Sequence, residues 1–500
     1  MRLKLYNSLT RKIEEFKPLN PPKVGIYTCG PTVYDYVTIG NWRTYILGDL
    51  LVRTLKYFGY QVDYIMNITD VGHLTGDNLG DASIGEDRME KAAKREKKTA
   101  WDIAKFYTDD FLKGYEKLNL IKPRKFTKAT NHIKEQIELV KKIEKRGFTY
   151  KTSDGIYFDV KLYEKAGNKY GQLSTLDKRK EGARVAKNPE KKDERDFALW
   201  KFSKKDEKRQ MEWDSPWGRG FPGWHIECSA MGMKYLGEQF DIHVGGEDLR
   251  STHHSNEIAQ SEAATGKKPF VKHWAHGAFL LVDGGRMGKS LGNAYTLYDI
   301  EKRGFNPMHL RYFYLTGHYR KQLNFTWKAL ESAKNAYDNL VNVLRSGKYS
   351  QWFLDKSITE EQTEEEAVVF TGIDYDERFK KALMNDLQIP EVLKIMWDLL
   401  RETSIKDKEK KELILKWDEI LGLNLQRHVG FKISAEIGAR SSLPTISETQ
   451  LPEDILNLSD ERMLARKRGD YKKADEIRQT IEAKGFIVRD TTGGTVIEKK

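Results

Sequence analysis

The stretch YTCGPTVYDYVTIGNWRTY, Tyr27 to Tyr45, decides how the chain is read. It joins a β-branched run, KVGIYTCG (Lys23 to Gly30), to a helix-like run, TYILGDLLVRTLKYFGY (Thr44 to Tyr60). The second run repeats its apolar residues at helical spacing and stops at Gly59, a natural C-terminal cap. A further strand-like run, QVDYIMNITDV (Gln61 to Val71), follows. Strand, helix and strand in this order predict a βαβ unit, and with it an α/β fold on a doubly wound parallel sheet of the Rossmann type. In the turn, Gly40 lets a ligand approach the backbone, and the helix start behind it offers free N–H groups to an anion, although an ordinary turn would look the same. Asn41 and Arg43 lie close by. The same stretch holds Cys29, one of only two cysteines in 500 residues, beside Gly30-Pro31.

A chain of 500 residues exceeds what one core serves, so several domains are expected. Hydrophobic content of 39%, charged content of 32% and a mean hydropathy of −0.68 give a globular balance. No run approaches the roughly 20 apolar residues of a membrane span. The start, MRLKLYNSLTRKIEEF, is too charged for a signal sequence, so a cytoplasmic location and no membrane partner are expected. Cys29 and Cys228 are too few and too far apart for a disulfide framework. The formal charge is +12, from 86 Lys and Arg against 74 Asp and Glu. Such an excess fits either a solvated surface or a large polyanion whose phosphates it neutralises, and composition does not choose.

The remaining pattern divides the chain. Residues 1–125 form the first half of the nucleotide-binding sheet domain, and 126–209 an inserted subdomain with a long helix and short strands such as GIYFDV (Gly155 to Val160). The sheet pattern resumes over 210–265 with GWHIECSAM (Gly223 to Met231) and FDIHVGGEDL (Phe240 to Leu249). Residues 266–322 carry a glycine-flanked basic loop. From 323 to 429 the pattern is helical: Leu330, Ala333, Tyr337, Leu340 and Leu344 step by three and four behind a capping Thr326. Residues 430–456 read as a linker and 457–500 as a small charged unit ending in FIVRD and a TTGG turn. The Gly- and Asp-rich stretch from Gly72 to about Lys98 reads as a surface excursion.

Two further constellations could carry chemistry. In GGRMGKSLGNAYT (Gly284 to Thr296), Arg286, Lys289 and Ser290 sit in a loop able to fold over a phosphate, though the spacing is not that of a phosphate-binding P-loop. In STHHSNEIAQSEA (Ser251 to Ala263), His253 and Glu257 are four apart and share a helix face, so both can reach one metal ion. Two histidines at a solvent-facing helix start would read the same way.

The order of these segments resembles the class I aminoacyl-tRNA synthetases, whose signatures are His-Ile-Gly-His and Lys-Met-Ser-Lys-Ser. The surrounding residues are similar to the cysteinyl-tRNA synthetase family: YTCGPTVYDYVTIGN, NITDV, FALWK, WDSPWGRGFPGWHIECSAM, HVGGEDL, HHSNEIAQSEA, RMGKSLGN and LTGHYRKQLNFTW. The resemblance runs through the terminal ARKRGDYKKADEIRQTIEAKG. It implies one Zn²⁺ held by Cys29, Cys228, His253 and Glu257, with Thr69 and Trp224 lining the amino-acid pocket. Gly40 and Asn41 would lie under the nucleotide, Asp248 would hold the ribose, and Arg286, Lys289 and Ser290 would meet the phosphates. The implied reaction uses ATP with Mg²⁺ to join L-cysteine to tRNA(Cys) through cysteinyl-adenylate. A pocket zinc would take the substrate thiolate and so exclude serine. The helical region and small C-terminal unit would bind tRNA, and a monomer is expected.

Three segments depart from the family pattern, the first of them at two residues. Thr38 replaces the first histidine of the first signature and cannot be cationic, which implies weaker transition-state stabilisation or compensation by a neighbour such as Arg43. Asn41 replaces the last histidine and keeps a donor. Arg286 and Gly288 stand for Lys and Ser in the second signature, while Lys289 is kept. After NITDV the chain reads GHLTGD where an Asp-Asp-Lys run is common. A sister ligase that joins cysteine to an amino sugar would share zinc and both signatures, but typically lacks the long C-terminal part present here. A non-catalytic tRNA-binding paralogue would be expected to lose zinc ligands or the loop lysine, and this sequence keeps them.

Overall fold

Five parallel strands carry the first half of the chain: β1 (Lys23–Thr28), β2 (Gln61–Ile68), β3 (Lys125–Lys128), β4 (Phe240–Gly246) and β5 (Val271–Gly277), ordered β5-β4-β1-β2-β3. The computed structural model describes residues 2–73, 87–174, 189–204, 209–288, 291–354, 371–429, 458, 461–462, 465, 470–491 and 494–499. From β1 the chain winds outward through β2 to β3, then returns to the other side of β1 with β4 and β5. The carboxyl ends of β1 and β4 therefore flank a topological switch point, where open α/β sheets leave a crevice for ligands.

Why β1 and β2 are strands is visible in their burial. Val24, Ile26 and Tyr27 on β1 and Tyr64, Ile65 and Met66 on β2 are buried in a sheet covered on both faces, so each strand reads as a continuous apolar run. Between them runs helix α1 (Ile39–Tyr57), with Gly59 at φ +85° just past its end. Ile39, Trp42, Tyr45, Ile46, Leu50 and Leu55 are buried, and the Trp42 ring stacks on Phe111 at 5.4 Å. The sequence stretch GWHIECSAM, read as part of the resuming sheet, is instead helix α2 (Trp224–Leu236). Its apolar positions cluster tightly enough to suit either element, and packing decides: α2 lies against helix α3 (His253–Thr265) and buries both.

Between β3 and β4 the chain makes a four-stranded antiparallel sheet, Thr149–Lys151, Gly155–Phe158, Phe197–Phe202 and Gly220–Pro222, with the helix Ile133–Lys145 nearby. Beyond β5, strands Leu280–Val282, Gly285–Arg286 and Leu323–Phe325 form a small sheet that carries the basic loop. Helices Trp327–Ser346, Gly372–Met384, Ile389–Arg401 and Asp407–Leu421 follow. Thr326 caps the first by accepting the Ala329 amide, and Pro390 sits in the first turn of the third, starting it rather than breaking it. These all belong to the unit Met1–Phe431. The second unit, Lys432–Lys500, contains the helix Tyr471–Ala483 and the hairpin Phe486–Thr491 with Gly494–Lys499, around Ile477, Ile481, Phe486 and Val488. The linker expected over 430–456, residues 74–86 of the excursion after Gly72, and both Lys289 and Ser290 lie outside the described residues, while the later part of that excursion forms the helix Arg88–Glu96 and buries Met89, Ala92 and Ala93.

One buried ion cluster ties α1 to the helices behind it. Asp49, on α1, accepts Arg53 Nε at 2.8 Å and Arg311 Nη2 at 2.5 Å, and all three sit in or near the core. Arg311 also donates to the carbonyls of Leu421 (2.7 Å) and Leu118 (2.9 Å) at two helix ends. Burial pushes the Asp49 carboxyl up, but Arg53, Arg311 and the Ile121 amide together hold it below the usual carboxylate range. A depressed folded value means that its contribution to stability is present above the unfolded pKa, near 4, and is lost as pH falls through the folded one. Arg311→Met is expected to destabilise the first unit by about 3–5 kcal/mol in denaturant unfolding near neutral pH, because it removes one of two guanidinium partners of a buried carboxylate and the donors to the Leu421 and Leu118 carbonyls. A loss below about 1 kcal/mol would contradict this.

Candidate metal centre and nucleotide crevice

Cys29 follows β1 directly and is placed by three contacts. Its amide donates to Val244 O on β4 (2.9 Å), which continues the strand pairing. The next amide, Gly30 N, donates to Asn67 Oδ1 on β2 at 2.5 Å. A Cβ at position 30 would stand 1.8 Å from the Asn67 carbonyl oxygen, so only glycine fits. Pro31 and Val33 then pair with Thr69 through main-chain bonds of 2.9 and 3.0 Å. The Gly-Pro pair thus seats the thiol at the mouth of the switch point.

Two helices bring the partners. Gln260 on α3 donates to His225 O (2.6 Å) and Ser229 Oγ (2.7 Å), and Ser261 Oγ donates to Ser229 Oγ (2.9 Å). These polar contacts lock α2 against α3 and set Cys228 beside His253 and Glu257. Both histidines at the start of α3 are buried, so the solvent-facing alternative does not hold. The Cys29 and Cys228 sulfurs lie 3.7 Å apart as free thiols. Cys29 Sγ is 3.8 Å from Glu257 Oε1, which is 3.1 Å from His253 Nε2.

These spacings fit a tetrahedral zinc ion. Zn–S, Zn–N and Zn–O bonds of ordinary length put neighbouring ligand atoms about 3.8 Å (S–S), about 3.6 Å (S–O) and about 3.4 Å (N–O) apart. A second group, Cys29, His243, His254 and Glu257, is equally close-set and shares two of the residues. His254 also turns its Nε2 to Cys29 Sγ, at 3.4 Å, so both quartets have outer partners. His243 Nε2 is 3.0 Å from Glu257 Oε2 and steadies the carboxylate. His254 Nδ1 meets His276 Nε2 at 2.8 Å, and His276 Nδ1 meets Ser8 Oγ at 2.8 Å. His253, with Nε2 turned to the cluster, meets His225 Nδ1 through its own Nδ1 (3.0 Å). Outer partners of this kind orient metal-binding side chains.

The electrostatics suit a cation. Glu257 is held at about 2: burial works against this, and His243 and His253 outweigh it. Burial would lower His253, but Glu257 and the Cys228 sulfur raise it to about 10. Burial would raise Cys228, yet hydrogen bonding from Cys29 and His253 leaves it at about 7, while burial and Cys228 push the Cys29 thiol well up. A metal ion bound there would displace the protons of the thiols and of His253.

Trp224, Thr69, His73 and Glu227 lie beside the cluster. The Trp224 ring lies 4.4 Å from the His253 ring, centre to centre. Thr69 Oγ1 donates to Glu227 Oε2 (3.0 Å), and His73 Nε2 is 2.7 Å from Glu227 Oε1. His73 comes from the GHLTGD departure and lies 6.4 Å from Trp224, ring centre to ring centre. Neither His73 nor the ring of supporting histidines was expected. Six of the chain's eleven histidines fall between 225 and 276, a local density that could have flagged the centre.

The nucleotide residues meet at the start of α1. Thr38 donates its hydroxyl to Asn41 Oδ1 (2.8 Å), so it caps the helix rather than standing free. Ile39 N donates to Tyr295 O (2.8 Å), and a Cβ on Gly40 would touch Met287 Sδ at 3.4 Å. The two signatures are thus side by side. Asp248 follows β4 on the short helix Glu247–Arg250 and is exposed, as are Asn41 and Arg286. Arg43 does not compensate for Thr38: it is buried and donates only to main-chain carbonyls among the described residues.

The fold is a doubly wound parallel sheet with two glycine-bearing segments meeting beside its switch point, and comparison with known proteins assigns it to the class I aminoacyl-tRNA synthetases. The family model "tRNA synthetases class I (C) catalytic domain" matches residues 15–335. In solved structures, the methionyl-tRNA synthetase of Mycobacterium tuberculosis in complex with methionyl-adenylate superposes with a TM-score of 0.53 at 13% identity, over 81% of this chain and 91% of that one, which establishes the shared fold. The cysteine–tRNA ligase of Treponema denticola is 43% identical over the full length of both chains. Cysteine–tRNA ligase 1 of Burkholderia lata is 42% identical over 99% of this chain and 96% of its own. The chain belongs to the cysteinyl-tRNA synthetase family. Among the described residues, no helix is long and apolar enough to cross a membrane.

The two overlapping quartets make different predictions for metal content after purification in zinc. Cys228→Ala and His253→Ala are each expected to remove at least about nine-tenths of the bound zinc, since losing a ligand weakens binding more than the 10- to 100-fold typical of an outer partner. His243→Phe is expected to keep near-stoichiometric zinc. The reverse pattern by elemental analysis would assign the metal to the other quartet.

Proposed function

We propose that this chain ligates L-cysteine to tRNA(Cys) in two steps. The cysteine carboxylate attacks the α-phosphate of ATP, supplied with Mg²⁺, to give cysteinyl-adenylate and pyrophosphate. The terminal ribose hydroxyl of the tRNA then takes the acyl group and AMP leaves. The observation that carries this reading is the buried Cys29–Cys228–His253–Glu257 cluster at the switch point, within the same crevice as the start of α1. The full-length similarity to named cysteine–tRNA ligases, C-terminal part included, favours tRNA over an amino-sugar acceptor.

In this reading Cys29, Cys228, His253 and Glu257 hold Zn²⁺. A zinc ion there supplies a soft, positively charged site that lowers the pKa of a thiol and prefers sulfur to a hydroxyl, so serine is refused where an apolar pocket could not refuse it. Trp224 closes over His253 and, with Thr69, walls the amino-acid pocket. His73 holds Glu227 still beneath Thr69.

Phosphoryl chemistry needs positioning and charge compensation more than covalent help. The first amides of α1, at Gly40 and Asn41, receive the nucleotide, and Thr38 keeps that helix start ordered by binding Asn41. Asp248 takes the ribose hydroxyls. Lys289, flanked by Arg286 and Ser290, meets the departing pyrophosphate. The helices of 323–429 and the small unit at 457–500 bind the tRNA. The enzyme works as a monomer in the cytoplasm.

Pyrophosphate exchange tests the proposal. Cysteine is expected to support exchange and serine to fail by a factor on the order of 10⁴. Complete zinc removal should abolish cysteine-dependent exchange, and added zinc should restore it. Exchange that survives zinc removal, or equal exchange with serine, would overturn the mechanism, and failure to charge purified tRNA(Cys) would overturn the acceptor.

A further inference from the structure

Arg43 is a buried guanidinium, 5% exposed, on the second turn of α1. Among the described residues it has no carboxylate partner. Its Nη1 donates to Ala278 O (2.7 Å) and Phe279 O (2.8 Å), and its Nη2 to Lys321 O (2.5 Å) and His318 O (3.2 Å). Burial without a counter-charge lowers its pKa to about 10, yet it stays protonated at neutral pH. Burying a cation is costly, and four carbonyl acceptors are what compensates it here.

The acceptors come in two pairs at meaningful places. Ala278 and Phe279 lead directly into the strand Leu280–Val282, and His318 and Lys321 belong to the turn before Leu323–Phe325. Those two strands pair in parallel, and the first turns through Asp283 and Gly284, both at positive φ, into Gly285–Arg286. That hairpin leads to Met287, which packs on Gly40, and to Asn293, whose side chain closes the loop base through Gly288 N (2.8 Å) and Arg286 O (3.0 Å). Further along, Tyr295 O accepts Ile39 N, and Tyr314 donates to Ile39 O at 2.6 Å. The segments leading into both strands of the small sheet are therefore tied to α1 by Arg43, and the segment after the basic loop is tied to the start of α1 through Tyr295 O and Ile39 N.

We propose that Arg43 is a positioning residue that sets Arg286, Met287 and Gly288 against the first turn of α1, so that the two sides of the nucleotide seat meet ATP in register. This rests on the reading that residues 38–41 and 286–290 flank the nucleotide. A lysine cannot do the same work: its single ammonium cannot reach two pairs of carbonyls as a planar fork does. The metal cluster hangs on β1, α2 and α3, and among the described residues none of these supplies a hydrogen-bond acceptor to Arg43, so the role is confined to the ATP side.

The test compares Arg43→Ala, Arg43→Lys and Lys289→Ala with the unmodified full chain, zinc-loaded, in pyrophosphate exchange. Arg43→Ala is expected to lower kcat/KM for ATP roughly 10- to 100-fold, the scale of a misplaced reacting group. The KM for cysteine and the zinc content should stay within about twofold, a specificity that general loosening of the fold would not give. Guanidinium ion at millimolar concentration should restore part of the loss, and urea, which is uncharged, should not. Arg43→Lys keeps the charge and most of the volume, and should show the same ATP-specific defect if the alanine variant fails to fold. Normal ATP kinetics in either Arg43 variant, beside an impaired Lys289→Ala, would overturn the positioning role alone. So would a loss shared equally by cysteine and zinc. An unimpaired Lys289→Ala would overturn the nucleotide reading itself.

Discussion

The buried carboxylate of Glu257 is the constraint around which the catalytic half is arranged. A charge with no solvent must be compensated on the spot, and here His243 and His253 do so from different elements, at 3.0 and 3.1 Å. His243 comes from β4, His253 from α3, and the two thiols arrive from the end of β1 and from α2. Only His253 and Glu257 are neighbours in sequence, four apart on α3, and the other three groups come from other parts of the chain. The switch point of the sheet is the one place where the ends of β1 and β4 meet, so the fold and the cluster require each other.

The same crevice has a second, drier system behind it. Helix α1 begins at the nucleotide turn and ends against the helical region. Along its length it carries Arg43, which grips the small loop-bearing sheet, and Asp49, which pairs with Arg53 and Arg311. A helix exposed on one face would not hold such groups. This one is covered by the parallel sheet on one side and by helices on the other, so its polar residues are internal ties rather than surface. The nucleotide seat is thereby mechanically joined to both neighbours.

Much of this was legible in the sequence, for physical reasons that can be named. The βαβ unit follows from apolar runs whose period switches from strand to helix and back at Gly59. The family signatures fixed the four candidate ligands and the class I fold, and Thr326 announced its helix by cap chemistry. What escaped was tertiary. GWHIECSAM reads equally as strand or helix until α3 packs against it. Arg43 looks like a free cation beside a phosphate turn, because nothing local reveals that four distant carbonyls need its donors. The supporting histidines were hidden for the same reason, since each belongs to a motif with another apparent purpose. His73 lay in the one loop where the family pattern was no guide.

X-ray absorption at the zinc edge of the purified, zinc-loaded chain tests the central claim most directly. The account predicts two sulfur and two lighter ligands at rest, with a third sulfur appearing when L-cysteine is added and no change when serine is added. One sulfur ligand at rest, or a spectrum that cysteine leaves unchanged, would contradict it.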